Sequence, residues 1–98
     1  MKKQYVWMVT ADGAEYGEYA NNASATLFKT HDEAQDFVKT SLEETVIDRH
    51  FDGKRPAQDK LDEKLNAYCD WYGDDTAQYR DDVVVNDYAI TKVPVPVK

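Results

Sequence analysis

The sequence predicts an α+β domain, a sheet of three or four largely antiparallel strands packed by two helices. Three observations lead there. Apolar residues alternate at period two near the N-terminus, β-branched residues cluster toward the C-terminus, and between them two segments space apolar residues three and four apart behind helix-start signals. With 98 residues and 42% hydrophobic content the chain suits one domain over 1–98 and one core.

Residues 4–10 place Tyr5, Trp7 and Val9 on one face and Val6 and Met8 on the other, which reads as a strand buried on both sides. Asp12-Gly13 is a turn signal expected to end it. Ala14 to Ala23, with Glu15-Tyr16, Glu18-Tyr19 and Asn21-Asn22, reads as a short edge strand or a surface loop. Ser24 to Lys29, carrying Leu27 and Phe28, is the next strand. Thr30 and Glu33 then form a capping box for a helix starting at His31, whose apolar stripe is Ala34, Phe37, Val38, Ser41, Leu42 and Thr45. This helix is expected to fray from Ile47 to Phe51 before a stop at Asp52-Gly53.

Pro56 opens a second helix with Ala57, Leu61, Leu65, Tyr68 and Tyr72 on its apolar face and Gly73 as its stop. On the opposite side Asp59, Asp62, Glu63 and Asp70 form, with Asn66, a stripe about 17 Å long at the helical rise, with Lys60, Lys64 and Trp71 beside it. Thr76 to Asp82 reads as a turn or short helix. Val83 to Val85 and Tyr88 to Val93 follow, either as two strands joined at Asn86-Asp87 or as one long strand. Pro94 and Pro96 remove two amides from the tail and limit further pairing there.

Charge is distributed unevenly. Residues 59–87 hold nine of the 19 carboxylates and three of the 12 cations, so they carry nearly all of the net charge of −7. Such a field repels nucleic acid and anionic lipid and steers basic protein surfaces toward it. With a pI near 4.6, direct nucleic-acid binding is not expected, because phosphate contacts need Lys and Arg. The apolar run Tyr5 to Val9 is too short for a secretory or membrane segment, and the single Cys69 offers neither a disulfide nor a zinc pair; both point to a cytosolic chain.

Asp48-x-His50-x-Asp52-Gly53 with Asp59 copies the spacing of a calcium-binding EF-hand loop. His50 supplies nitrogen where oxygen is needed, however, Asp59 is short for the final ligand, and Arg49, Lys54 and Arg55 cancel the charge. An interhelical turn is the simpler reading, and no metal or cofactor is expected. Cys69 reads as a small core residue, His31 as a first-turn surface residue and His50 as a helix end. No nucleophile or base has a fixed orienting partner, so the chain does not read as an enzyme.

The acidic flank has two readings. In one, Asp59, Asp62, Glu63, Asp70, Asp74, Asp75, Asp81 and Asp82 form a solvated face, with Tyr68 and Tyr72 in the core. In the other they imitate the phosphate row of nucleic acid, and exposed Trp71 and Tyr79 anchor a basic partner. Tyr16 and Tyr19 form a second candidate surface, each with two side-chain torsions to fix on docking; in the alternative, one of them packs over the sheet edge.

The front segment, Tyr5-Val6-x-Met8-Val9-Thr10 through Leu27-Phe28-Lys29-Thr30-x-x-Glu33-Ala34-x-x-Phe37-Val38, resembles small uncharacterised β-β-α-β proteins of phages and Gram-positive bacteria. The resemblance covers about a third of the chain and concerns fold alone. In size and charge the chain is also similar in general character to phage-encoded inhibitors of host defence, including anti-restriction and anti-CRISPR proteins, some of which mimic nucleic acid. The expected function is therefore a non-enzymatic acidic module that binds a basic, nucleic-acid-binding protein. The alternatives are a structural or oligomerising domain that pairs through a sheet edge or the Glu-Tyr loop, and the degenerate calcium site.

Overall fold

The computed structural model describes residues 4–15 and 22–95. Over them the chain runs β1 (Gln4–Glu15), β2 (Asn22–Phe28), α1 (His31–His50), α2 (Gln58–Tyr68), β3 (Cys69–Trp71), β4 (Thr76–Arg80) and β5 (Val84–Val95). The α+β class and the two helices are those the sequence reads. The sheet has five strands instead of three or four, in the order β2-β1-β5-β4-β3, and every neighbouring pair is antiparallel.

β1 and β5 form the spine of the sheet. Val9 stands opposite both Thr26 and Ile90, and Trp7 opposite both Phe28 and Lys92. β1 does not end at Asp12-Gly13: Gly13 pairs with Asn22 on one side and Asn86 on the other, and two flanking ladders outweigh a local turn preference. The C-terminal β-branched run is one long strand running through Asn86-Asp87. Pro94 lies beyond the part of β5 that β4 covers, Val85 to Ala89, where a missing amide is tolerated. Pro96 is outside the described residues, as are Tyr16 and Tyr19 of the Glu-Tyr segment.

Both helices pack on one face of the sheet. Val9, Ala77, Tyr79, Tyr88 and Ile90 from the strands meet Ala34, Val38, Leu42, Val46, Ile47 and Leu61 from the helices. β1 is thus not buried on both sides. Val6 and Met8 on its other face are half-buried, and Leu27 beside Met8 is 62% exposed, because among the described residues no second layer covers that face.

In α1 the Thr30 hydroxyl accepts the Glu33 backbone N–H at 3.1 Å, as a capping residue should. The helix does not fray at Ile47, because Val46 and Ile47 are buried and the stripe continues past Leu42. Ser41 and Thr45, expected on that stripe, instead turn their hydroxyls back to the carbonyls of Phe37 and Ser41. The Ile47 carbonyl then accepts from both Phe51 and Gly53, and Asp52 and Gly53 take positive φ of 54° and 79° to reverse the chain.

α2 stops at Tyr68, five residues before the expected stop at Gly73. Cys69 is extended, and Cys69, Asp70 and Trp71 pair with Tyr79, Gln78 and Ala77. The 3.6-residue spacing of Leu61, Leu65 and Tyr68 continues by coincidence to Tyr72, which is 60% exposed, not in the core. Gly73, at φ 77°, turns the chain between β3 and β4. Thr76–Arg80 is a strand, with Ala77 and Tyr79 buried and Thr76 and Arg80 exposed.

Candidate functional site

The end of α2 at Tyr68 splits the acidic segment. Asp59, Asp62 and Glu63 stay on the exposed side of α2, while Asp70 sits on β3 opposite Gln78, which in turn sits opposite Asp87. These last residues project from the sheet face that the helices leave open, where the Gln78 amide donates to Asp87 at 2.6 Å. One continuous helical row of carboxylates is therefore not formed. Among the described residues Asp59, Asp62, Glu63, Asp70, Asp74 and Asp82 are nonetheless exposed and without an ion-pair partner.

Asp81 and Tyr79 do not belong to that exposed surface. Tyr79 has 0% of its surface exposed, because strand alternation points it under the helices, so it is not the surface anchor expected from the sequence. Its hydroxyl donates to Asp81 Oδ2, and the His50 ring lies 3.0 Å from the same hydroxyl. Since that hydroxyl proton goes to Asp81, His50 Nε2 is the donor in the chain His50 to Tyr79 to Asp81. Arg49 Nε adds a bond to Asp81 Oδ2 at 2.9 Å, and the Val83 and Val84 amides each donate to Oδ1 at 2.7 Å.

Burial opposes ionisation of Asp81, but the bonds from Tyr79, Arg49, Val84 and Val83 together outweigh it and hold its carboxyl well below the usual range. Burial, helped by the charges of Lys64 and Arg49, lowers His50, whose ring stacks on Tyr68 at 4.2 Å. Arg49, His50, Tyr68, Asp81, Asp82 and Val83 line a shallow cleft of about 270 Å³. The cleft polar groups Arg49, His50 and Asp81 are spent on one another. The cluster ties the end of α1 to the turn between β4 and β5.

A second clasp holds the other end of α1. His31 Nε2 lies 2.6 Å from Asp75 Oδ1, the Trp7 and His31 rings meet in a T-shaped contact with centroids 4.6 Å apart, and the Gln35 amide donates to the Asp74 carbonyl at 3.1 Å. Asp75 is thus partnered, whereas the Asp74 carboxylate is exposed. Alongside opens a cleft of about 360 Å³ lined by Gln35, Asp36, Lys39, Trp71, Gly73 and Asp74. Trp71, 40% exposed, supplies its aromatic wall, and Asp36 and Asp74 bring carboxylates to it against a single Lys39. An aromatic face with two carboxylates suits an arginine or lysine side chain, by cation–π attraction and charge-assisted hydrogen bonds.

Sequence reasoning found Trp71 and Asp74 but not Gln35, Asp36 and Lys39. The signal was their spacing, which places all three along one side of α1; what it lacked was the turn that folds against them. The Asp48 to Asp59 segment does not form a calcium loop. Asp48 and His50 are both helical and His50 turns to Tyr79, and among the described residues no three His, Cys, Asp or Glu side chains converge as a metal site. Burial, with the Asp70 charge, pushes the Cys69 thiol up to about 12, so it stays protonated at neutral pH. Among the described residues no helix is long and apolar enough to cross a membrane. Compared with known proteins, the chain matches no family model, no curated protein and no solved structure.

Proposed function

We propose that this chain is a non-enzymatic protein-binding module that takes a basic side chain of a partner into the Trp71 cleft, with the unpaired carboxylates of α2 steering the approach. The observation that carries this reading is an exposed tryptophan in a cleft that Asp36 and Asp74 line against a single cation, Lys39. The steering part follows from Asp59, Asp62 and Glu63 being exposed and outside every salt bridge among the described residues. A partner of this chemistry is a nucleic-acid-binding protein, whose groove is lined with Arg and Lys. By occupying that groove the chain would act as an inhibitor, the role that phage-encoded anti-defence proteins play. The recognition element in this reading is a single aromatic cleft with acidic flanks, in place of a helical copy of a phosphate row.

The protonated Cys69 thiol and the mutual pairing of His50, Tyr79, Asp81 and Arg49 support a role without catalysis. Calorimetric titration with an arginine-rich peptide tests the reading. Binding should weaken steeply between low and physiological salt, fall at least tenfold in Trp71→Leu and in the Asp36→Asn/Asp74→Asn pair, and fall less in Asp59→Asn/Asp62→Asn/Glu63→Gln. Equal affinity for wild type and the Trp71 and Asp36/Asp74 variants would remove it.

A further inference from the structure

The sheet has two edges, and they differ in kind. β3 is three residues long and bears Asp70, whereas β2 presents seven residues, Asn22–Phe28, without a charge, a proline or a glycine. Natural edge strands usually carry such features to prevent pairing, and β2 has none of them. Among the described residues nothing pairs with its outer side. Both flanks of that edge are apolar and open: Leu27 on the uncovered face is 62% exposed, and on the helix face Phe28 packs against Phe37, itself 36% exposed.

We propose that the outer edge of β2 is a dimerisation edge, at which a second copy of this chain adds its own β2 antiparallel about a twofold axis through Ala25. Pairing centred on Ala25 aligns Asn22 with Phe28, Ala23 with Leu27 and Ser24 with Thr26, so the whole strand is matched in register and no like charges face each other. A twofold interface uses the same patch twice, which a neutral strand with apolar flanks permits.

The neutral, self-complementary register admits a second copy, and charge selects this edge over the other for it. The acidic segment occupies α2, β3, β4 and the start of β5, at the far end of the sheet from β2. Joined through β2, the two β4 strands lie about 34 Å apart at about 4.8 Å per strand, several times the Debye length of about 8 Å. Joined through β3, the same acidic ends would be adjacent and would repel. An acidic chain can therefore self-associate at β2, while the acidic ends, Trp71 cleft included, remain free at both extremities of the dimer.

Sedimentation equilibrium over a range from micromolar to hundreds of micromolar tests this. Wild type should approach twice its 11.3 kDa mass with rising concentration. Ala25→Lys/Leu27→Lys, which sets like charges face to face at position 25 and on the diagonal between positions 25 and 27, both exposed, should remain at the monomer mass with an unchanged thermal midpoint. Hydrogen exchange on wild type supplies a second measurement that does not depend on a variant: amides of β2 should slow with concentration, while those of β3 should not. A wild type that stays monomeric, a dimer that protects β3 instead, or β2 protection that appears only when an unrelated extended peptide is added would each overturn the proposal.

Discussion

Replacing Asp81 by alanine should destabilise the fold more than any other single change to a carboxylate. Asp81 accepts four hydrogen bonds, from Arg49, Tyr79, Val83 and Val84. They are unequal in worth. The Arg49 side chain is 38% exposed, so its ion pair is largely screened by solvent. The exposed Val83 amide regains water when the carboxylate is removed. The Tyr79 hydroxyl does not, because the residue has no exposed surface; it keeps only the His50 ring, which must turn from donor to acceptor, at a cost within the range of about 1–3 kcal/mol for an unmet buried donor. With the loss of the turn between β4 and β5 added, Asp81→Ala should cost about 2–4 kcal/mol, a fall in midpoint of about 10–20 °C for a domain of this size.

The pH dependence gives that effect a sign. The carboxyl is held below its ordinary value, so its contribution is complete above about pH 4, the unfolded value, and is lost as pH falls toward the depressed folded value. Urea unfolding followed by circular dichroism at pH 7 and pH 3 should therefore show the gap between wild type and Asp81→Ala narrowing in acid. A variant within about 0.5 kcal/mol of wild type at pH 7, the range of an ordinary surface change, or a gap that widens in acid, would refute the assignment of Asp81 as the anchor of this turn.

Three further outcomes follow from the same geometry. Burial and two neighbouring cations lower His50, so between its ordinary value of about 6.5 and its lower folded value the unfolded chain binds a proton that the folded chain does not. Wild type should lose stability as pH falls through that window, and a His50→Gln variant with the same slope would show the assignment wrong. Cys69, half-buried and pushed up to about 12, should react with a disulfide reagent much more slowly in the native than in the unfolded protein; equal rates at pH 8 would contradict that environment. Gly53→Ala meets no steric obstacle, its nearest neighbour being Asp48 Oδ1 at 3.8 Å, so its cost should be the backbone strain alone, about 1–2 kcal/mol by chemical denaturation; a neutral substitution would mean that the turn relaxes.

How much of this was legible in the sequence depended on whether a signal was local. Thr30 and Glu33 define a helix start by themselves, and the structure places the cap there. Alternation of large apolar residues marked β1 equally well. β4 was missed because its buried pair, Ala77 and Tyr79, alternates with polar residues in a segment dense with aspartate, so composition masked periodicity. The over-extension of α2 has a different cause: Tyr72 falls at helical spacing from Tyr68, and only the partner strand β4 shows that the chain has already straightened. The candidate site suffered most from this. Asp70 leaves the acidic helix for the open sheet face, Asp81 and Tyr79 turn inward, and Trp71 gains Asp36 from a helix remote in sequence, all consequences of strand pairing that one-dimensional spacing does not encode.

The most direct test of the binding role is a nitrogen–proton correlation titration of the labelled protein with an arginine-rich peptide, read at the two tryptophan indoles. Trp71 lines the acidic cleft, Trp7 is removed from it by the His31 ring that holds Asp75, and the Val83–Val84 turn lies at the opposite end of α1. The indole of Trp71 and the amides of Gln35, Asp36 and Asp74 should shift together and saturate, Trp7 should shift less than Trp71, and the amides of Val83 and Val84 should stay in place. Shifts spread evenly over all exposed carboxylates, with Trp71 unmoved, would mean that the acidic end is only a solvated surface.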